Sequence, residues 1–167
     1  MRRYFHEDVE LLYRQYYGDV YRYISLIQYS ASDVEDIVQN TFLKAMRGIA
    51  RFKGHSSIRT WLFAVARNES MNYSKKRAGD ASADNGMEFN RSISIDEAVC
   101  KKEAADMILK YINCCEEPKR SLLALRLIGE KSFVEIGEIL GKNDTWCRVT
   151  FLRAKNEIIS KLEGLDT

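Results

Sequence analysis

Two groups of residues in this chain of 167 could do recognition chemistry on nucleic acid. In Ser57–Arg77, SIRTWLFAVARNESMNYSKKR, a Trp, a Phe, a Tyr and several Asn side chains are interleaved with Arg and Lys. Flat rings stack on unpaired bases, carboxamides bond base edges, and cations hold the backbone. Trp61, Val65, Asn68 and Asn72 follow one another along one side of a helix, and positive charge accumulates at Arg67, Lys75, Lys76 and Arg77. Trp61, Leu62 and Phe63 equally suit a core, and the residues alone leave that open. The second group lies in Ser132–Lys161, where Arg148 stands near the start of a helix, with Arg153 and Lys155 beyond it. The first turns of a recognition helix enter a major groove most deeply, so Arg148 suits a base edge or a phosphate, and Arg153 and Lys155 suit phosphates. An exposed charged face in an ordinary helical bundle is the plainer alternative.

Other chemistries lack their parts. Cys100, Cys114, Cys115 and Cys147 form no CxxC pair, and neither His6 nor His55 is spaced to complete a metal site. The acidic residues have no paired base, and no glycine-rich phosphate loop occurs. No catalytic residue, metal or cofactor is expected. Small buried or half-buried thiols in a reducing compartment fit the cysteines, and adjacent Cys114 and Cys115 diverge on a helix. The chain has neither an apolar run long enough to span a membrane nor a signal-peptide core at its start, so a cytoplasmic protein without direct membrane insertion is expected.

The elements that must position these residues are helices. Hydrophobic residues make up 46% and charged residues 30%, in helical alternation, which favours folding over disorder. The fold expected is all-α: two small helical domains joined by a flexible linker. A first helix over about Asp8–Tyr29 carries Val9, Leu12, Tyr16, Val20, Tyr23 and Ile27 on one stripe. A second has Val34, Val38, Phe42, Ala45 and Ile49 inward. Three Ser-x-x-Glu boxes, Ser32 with Glu35, Ser94 with Glu97 and Ser132 with Glu135, mark helix starts. Gly54 and the serines of Arg51–Ser57 form a loop before the long basic helix. Gly, Ser, Asn and Asp dominate Ala78–Ile93, which reads as a linker dividing a domain over 1–77 from one over 94–167. The second domain is expected to hold helices at about Ile95–Cys115, Pro118–Leu127, Phe133–Leu140 and Thr145–Leu162, the last two forming a helix-turn-helix with Gly141 at the stop.

The second helix also carries Asp36, Gln39, Asn40 and Leu43 together on another face, which suits a polar contact with a partner or plain solvation. With 26 basic and 24 acidic side chains, the formal charge of +2 is small for a protein living on phosphate neutralisation. Affinity supplied by a larger partner is therefore expected.

Taken together, these residues resemble the extracytoplasmic-function sigma factors, the smallest members of the sigma-70 class of bacterial transcription initiation factors. The resemblance covers most of the chain. DVEDIVQNTFLKAM resembles the helix that docks on the largest subunits of RNA polymerase core, which implies core-binding roles for Asp36, Gln39, Asn40 and Leu43. RFKGHSSIRTWLFAVARN resembles the loop and helix that capture the minus-ten element. By that resemblance Phe52, Lys53 and Asn68 line a pocket for a flipped base, and Asn72, Lys75, Lys76 and Arg77 hold the nearby backbone. The helix-turn-helix resembles the reader of the minus-thirty-five element, with Arg148 and Leu152 base-facing and Thr150, Arg153 and Lys155 beside them. Two departures stand out: Asn40 replaces a frequent Glu, and KNDTWCRVTF replaces a smaller-residue turn. The resemblance implies a cognate anti-sigma factor, often membrane-anchored, as a further partner. A self-sufficient helix-turn-helix regulator would account for the carboxyl half, but leaves Asp36–Asn40, Phe52 and Asn68 without a role.

Overall fold

The computed structural model describes residues 2–28, 30–80 and 99–164, with the side chains of 2–8, 80 and 99–103 outside the description. Within these residues the chain forms seven α-helices and no strand: α1 (Arg2–Ile27), α2 (Ala31–Gly48), α3 (Ile58–Asp80), α4 (Val99–Cys114), α5 (Lys119–Leu127), α6 (Phe133–Leu140) and α7 (Asp144–Glu163). A 3-10 turn, Ile49–Arg51, leads from α2 into the loop before α3.

The stripe expected on the first helix is its buried face. Leu12, Val20, Tyr23 and Ile27 are inside, joined by Ile24 and Leu26. The helix ends at Ile27, two residues before the expected Tyr29, which lies outside the described residues, and it begins earlier than Asp8. Val34, Val38, Phe42 and Ala45 of α2 meet this face, while Ile49 is half-buried in the 3-10 turn. Leu62, Phe63 and Ala66 of α3 close the unit.

The caps divide. Ser132 and Glu135 make the expected box at α6: Ser132 Oγ accepts from the Glu135 amide at 3.2 Å, and Glu135 Oε2 accepts from the Ser132 amide at 2.8 Å. The box expected from Ser32 and Glu35 does not form. α2 begins two residues earlier, at Ala31, with Ser30 rather than Ser32 at the N-cap position and no side-chain cap bond; the Ser30 and Ser32 hydroxyls lie 2.9 Å apart instead. Asp33 supplies negative charge in that first turn, is itself buried, and accepts from Tyr73 Oη at 2.9 Å and from Arg77. Tertiary partners on α3 have thus taken over the start of α2. The box at Ser94 falls outside the described residues.

α3 is capped by Ser57, whose Oγ accepts from the Thr60 amide at 3.1 Å, and Gly54 in the preceding loop has φ 71°. The helix runs to Asp80, so Ala78, Gly79 and Asp80, expected in the linker, are helical. The remainder of the expected linker lies outside the described residues. In the carboxyl half, α6 and α7 have nearly the expected bounds, with Asp144 rather than Thr145 first in α7 because Asn143 takes the N-cap and accepts from the Trp146 amide at 2.7 Å. Gly141 stops α6 in the left-handed conformation, φ 65° and ψ 36°. Ile136, Leu140, Cys147 and Ala154 are buried where the two helices meet, with Phe133, Phe151 and Ile158 packed around them.

The two halves share one hydrophobic core. α1 packs on α4 and α5, and α3 packs on α6. Tyr23 of α1 is fully enclosed, with its hydroxyl 3.4 Å from Ser121 Oγ of α5 and its ring 5.3 Å from Phe63.

Candidate nucleic-acid interface

α3 presents opposite sides to different surroundings. Its inner side supplies Leu62, Phe63 and Ala66 to the core, while Trp61, Val65, Asn68, Asn72 and Lys75 recur at spacings of four, three, four and three along a groove of about 640 Å³. Lys44 and Gly48 of α2 form the facing wall, and Arg67, Glu69 and Met71 complete the lining. Asn68, Asn72 and Lys75 are exposed.

Trp61 combines core packing with a place on the groove wall. The indole is half-buried and packs against the core, yet it lines the groove with Phe52 tilted against it, ring centroids 5.4 Å apart. Gly48 permits this seating, since a Cβ there would lie 3.2 Å from Trp61 Cζ2. One aromatic face, two carboxamides and flanking cations in one open groove, with Phe52 beside the indole but outside the lining, are components suited to stacking an unpaired base and bonding its edge. Lys44, Glu69 and Gly48 were not singled out from the sequence. Lys44 and Glu69 form an ion pair between α2 and α3, a contact without local sequence signature.

The other expected contacts of this half lie outside the groove lining. Lys53 and Lys76 are exposed on the loop and on α3. Arg77 is exposed and pairs with Asp33 at the α2 start. Buried Gln28 ties α1 to α3, donating to Ser70 O at 3.3 Å and Ser74 Oγ at 3.2 Å and also to Ser70 Oγ, which fixes the distal part of α3.

On α2, Asp36, Gln39, Asn40 and Leu43 are all exposed. Met46, one turn beyond Leu43, extends the strip and was not singled out; the two apolar side chains are 48% and 42% exposed, a size that a solvent-facing position does not favour.

In the helix-turn-helix, Arg148 is exposed but organised. Its Nε donates to Asp144 Oδ2 at 3.0 Å and its guanidinium lies 5.3 Å from the Phe133 ring centroid, with Arg126 over the same ring at 4.8 Å. Leu152, Arg153 and Lys155 are exposed and Thr150 is half-buried. Val149 is a further exposed apolar residue of this helix. Trp146 is half-buried against the core, with Lys142 Nζ 5.5 Å from its ring centroid.

Cys115 and Cys147 are buried and Cys114 is exposed; burial raises the thiol pKa of both buried residues. Among the described residues no three His, Cys, Asp or Glu side chains converge as metal ligands, and no helix is long and apolar enough to cross a membrane.

A helix-turn-helix carried on the same core as an aromatic, amide-lined groove defines a two-headed nucleic-acid-binding protein. Comparison with known proteins narrows the class. The family described as Sigma-70 region 2 matches residues 12–79, which hold α2, the loop and the groove face of α3. RNA polymerase sigma factor YlaC of Bacillus subtilis is 30% identical over 156 residues, covering 91% of this chain and 90% of the relative. The ECF RNA polymerase sigma-E factor of Escherichia coli is 27% identical over 146 residues, covering 81% and 76%. Among solved structures, sigma factor RpoE in complex with the anti-sigma factor NepR from Bartonella quintana superposes with a TM-score of 0.75 at 21% identity, covering 94% of this chain and 98% of that one. CnrH in complex with the cytosolic domain of CnrY gives 0.69 at 18%, covering 95% and 90%. The chain belongs to the sigma-70 family, in its extracytoplasmic-function group, and is an alternative RNA polymerase sigma factor.

Proposed function

We propose that this sigma factor works in the cytoplasm without catalytic chemistry of its own, and that its promoter contacts divide between the two halves. The α2 strip of Asp36, Gln39, Asn40 and Leu43, extended by Met46, docks on RNA polymerase core. The groove between α2 and α3 captures a flipped base of the minus-ten element, with Phe52, Trp61 and Asn68 around the base and Asn72, Lys75 and the nearby Lys53, Lys76 and Arg77 toward the backbone. Arg148 and Leu152, with Thr150, Arg153 and Lys155, meet the minus-thirty-five element.

The observation that carries this reading is the groove. Extruding a base costs a few kcal/mol, so a binding site needs a shaped surface to offset it. Trp61 with Phe52 tilted against it, beside exposed Asn68 and Asn72, supplies that surface on the residues matched to sigma-70 region 2. Arg148 is pre-oriented by Asp144 and Phe133 for a duplex edge, consistent with the upstream contact. A cognate anti-sigma factor, soluble or membrane-anchored, would cover Leu43 and Met46 when the protein is idle; the RpoE structure that superposes on this chain has an anti-sigma factor bound, and the CnrH structure has the cytosolic domain of CnrY bound.

Run-off transcription with bacterial core polymerase and a promoter library tests the reading. Transcripts with defined starts that depend on the protein are expected. Neither transcripts nor co-elution with core would overturn it in favour of a self-sufficient regulator.

A further inference from the structure

Two acids stand where a surface for polyanionic DNA would exclude them. Glu69 lines the groove together with Lys44, Arg67 and Lys75, and Asp33, at the start of α2, is paired with Arg77 beyond Lys75 on α3. Each acid is the enclosed member of its ion pair. The side chains of Glu69 and Asp33 are 11% and 12% exposed, while those of their partners Lys44 and Arg77 are 52% and 56% exposed. Among the described residues, the exposed Lys53, Lys75 and Lys76 make no ion pair.

Stability gives little reason for either pair. An ion pair with one member in solvent gains little, because water and salt screen it and a long side chain must be held in one geometry. α2 and α3 are already joined through the shared apolar core, by Val34, Val38, Leu62, Phe63 and Ala66.

The consequence for DNA is larger. A carboxylate beside a strand repels its phosphates, and a cation that stays on its acid neutralises no phosphate and releases no counterion from a passing strand. Lys44 and Arg77 are thus withheld from a contact that any sequence offers, whereas Lys53, Lys75 and Lys76 remain open to it.

We propose that Glu69 and Asp33 are specificity-determining residues, counter-ions that hold Lys44 and Arg77 off the phosphates of non-promoter DNA. A strand whose base occupies the groove keeps its phosphates beside these cations at high effective concentration and displaces the acids; a strand held by charge alone does not. The proposal rests on the reading of the groove as a site of base capture, and its test separates the two.

The test is binding of the full chain to a fluorescent single strand of non-promoter sequence across a range of salt concentrations. Glu69→Gln keeps the size of the side chain and removes its charge. It is expected to tighten binding and to steepen the fall of log affinity with log salt by about 0.7, the slope of one added phosphate contact on a single strand. Its advantage over wild type then shrinks roughly 2.6-fold for each four-fold rise in salt. On a Lys44→Met background the same substitution is expected to gain nothing, since no lysine is left to release; a gain that persists there comes from net charge alone and would overturn the role of Glu69. Asp33→Asn leaves an acceptor for Tyr73 and is expected to steepen the slope through Arg77, with no gain on an Arg77→Met background. Unchanged slopes with helix content retained would overturn the proposal, and Glu69→Gln decides it alone where Asp33→Asn disturbs the start of α2. Base capture is judged separately, by Asn68→Ala in the polymerase holoenzyme on a fork with a single-stranded minus-ten element. Weakened fork binding with unchanged slopes keeps base capture and overturns the counter-ion role, whereas steepened slopes with unaffected fork binding keep the counter-ion role and overturn base capture.

Discussion

Asn68 and Arg148 test the two promoter contacts separately. Asn68 is exposed at the groove and outside the buried core, so Asn68→Ala should spare folding and binding to core polymerase while reducing promoter opening at least ten-fold, read by permanganate reactivity of unpaired thymines. Arg148→Ala removes a side chain held by Asp144 and Phe133, and should cost about 1–3 kcal/mol at one upstream base pair while leaving other positions unchanged in a promoter-selection assay. Glu135 makes a pH prediction. Burial pushes its carboxyl up, but the Ser132 amide, Thr60, Lys131 and the Ser132 hydroxyl more than cancel that and hold it at about 2. The folded value lies below the unfolded one, so its stabilisation is present above the ordinary glutamate range and is lost as pH falls toward 2. Glu135→Gln should therefore flatten the acid limb of a thermal-stability profile below about pH 4.5, with no change in the slope between pH 6 and 8. Most of the groove-facing residues were legible because helical spacing puts Trp61, Val65, Asn68 and Asn72 on one line. Glu69, Lys44 and the buried Lys131 were not, because their roles depend on partners far away in sequence.

Among the elements, the helix-turn-helix was the most legible, since local chemistry defines it: a capping box starts α6, and a left-handed glycine and an asparagine cap bound the turn. Asn143→Ala should lower stability by about 1 kcal/mol in denaturant titration, by removing the acceptor of the Trp146 amide. Gly137 is a less visible requirement. A Cβ there would come within 2.5 Å of Lys142 O, so Gly137→Ala must displace the backbone of the turn and should cost about 1–3 kcal/mol, with a shifted recognition helix seen in amide spectra. Helix starts set by distant contacts were harder to read. Ser32 has the right neighbours for a cap, yet α2 starts at Ala31 and Asp33 is held from α3 by Tyr73 and Arg77. The end of α3 shows the same limit: Gly79 marks a break in propensity, but the helix continues to Asp80.

At the scale of the molecule, the contact between halves involves buried Tyr23, Ser121, Thr60 and Lys131 together with half-buried Glu135. Because this contact belongs to a core shared by both halves, Tyr23→Ala should reduce stability by about 3–5 kcal/mol and let the two halves melt in separate transitions by calorimetry. The all-helical class, the order of the helices and the inward stripes follow from local spacing, and the sequence by itself determined them. Periodicity, capping and composition act over one or two helical turns, and those ranges are written along the chain. Which faces of the two halves meet, which acids accept from which cations, and which lysine is enclosed were decided only in the tertiary structure. Such pairings join residues between 25 and 98 positions apart, as in Lys44 with Glu69 and Tyr23 with Ser121, and their energy depends on burial that no local pattern encodes.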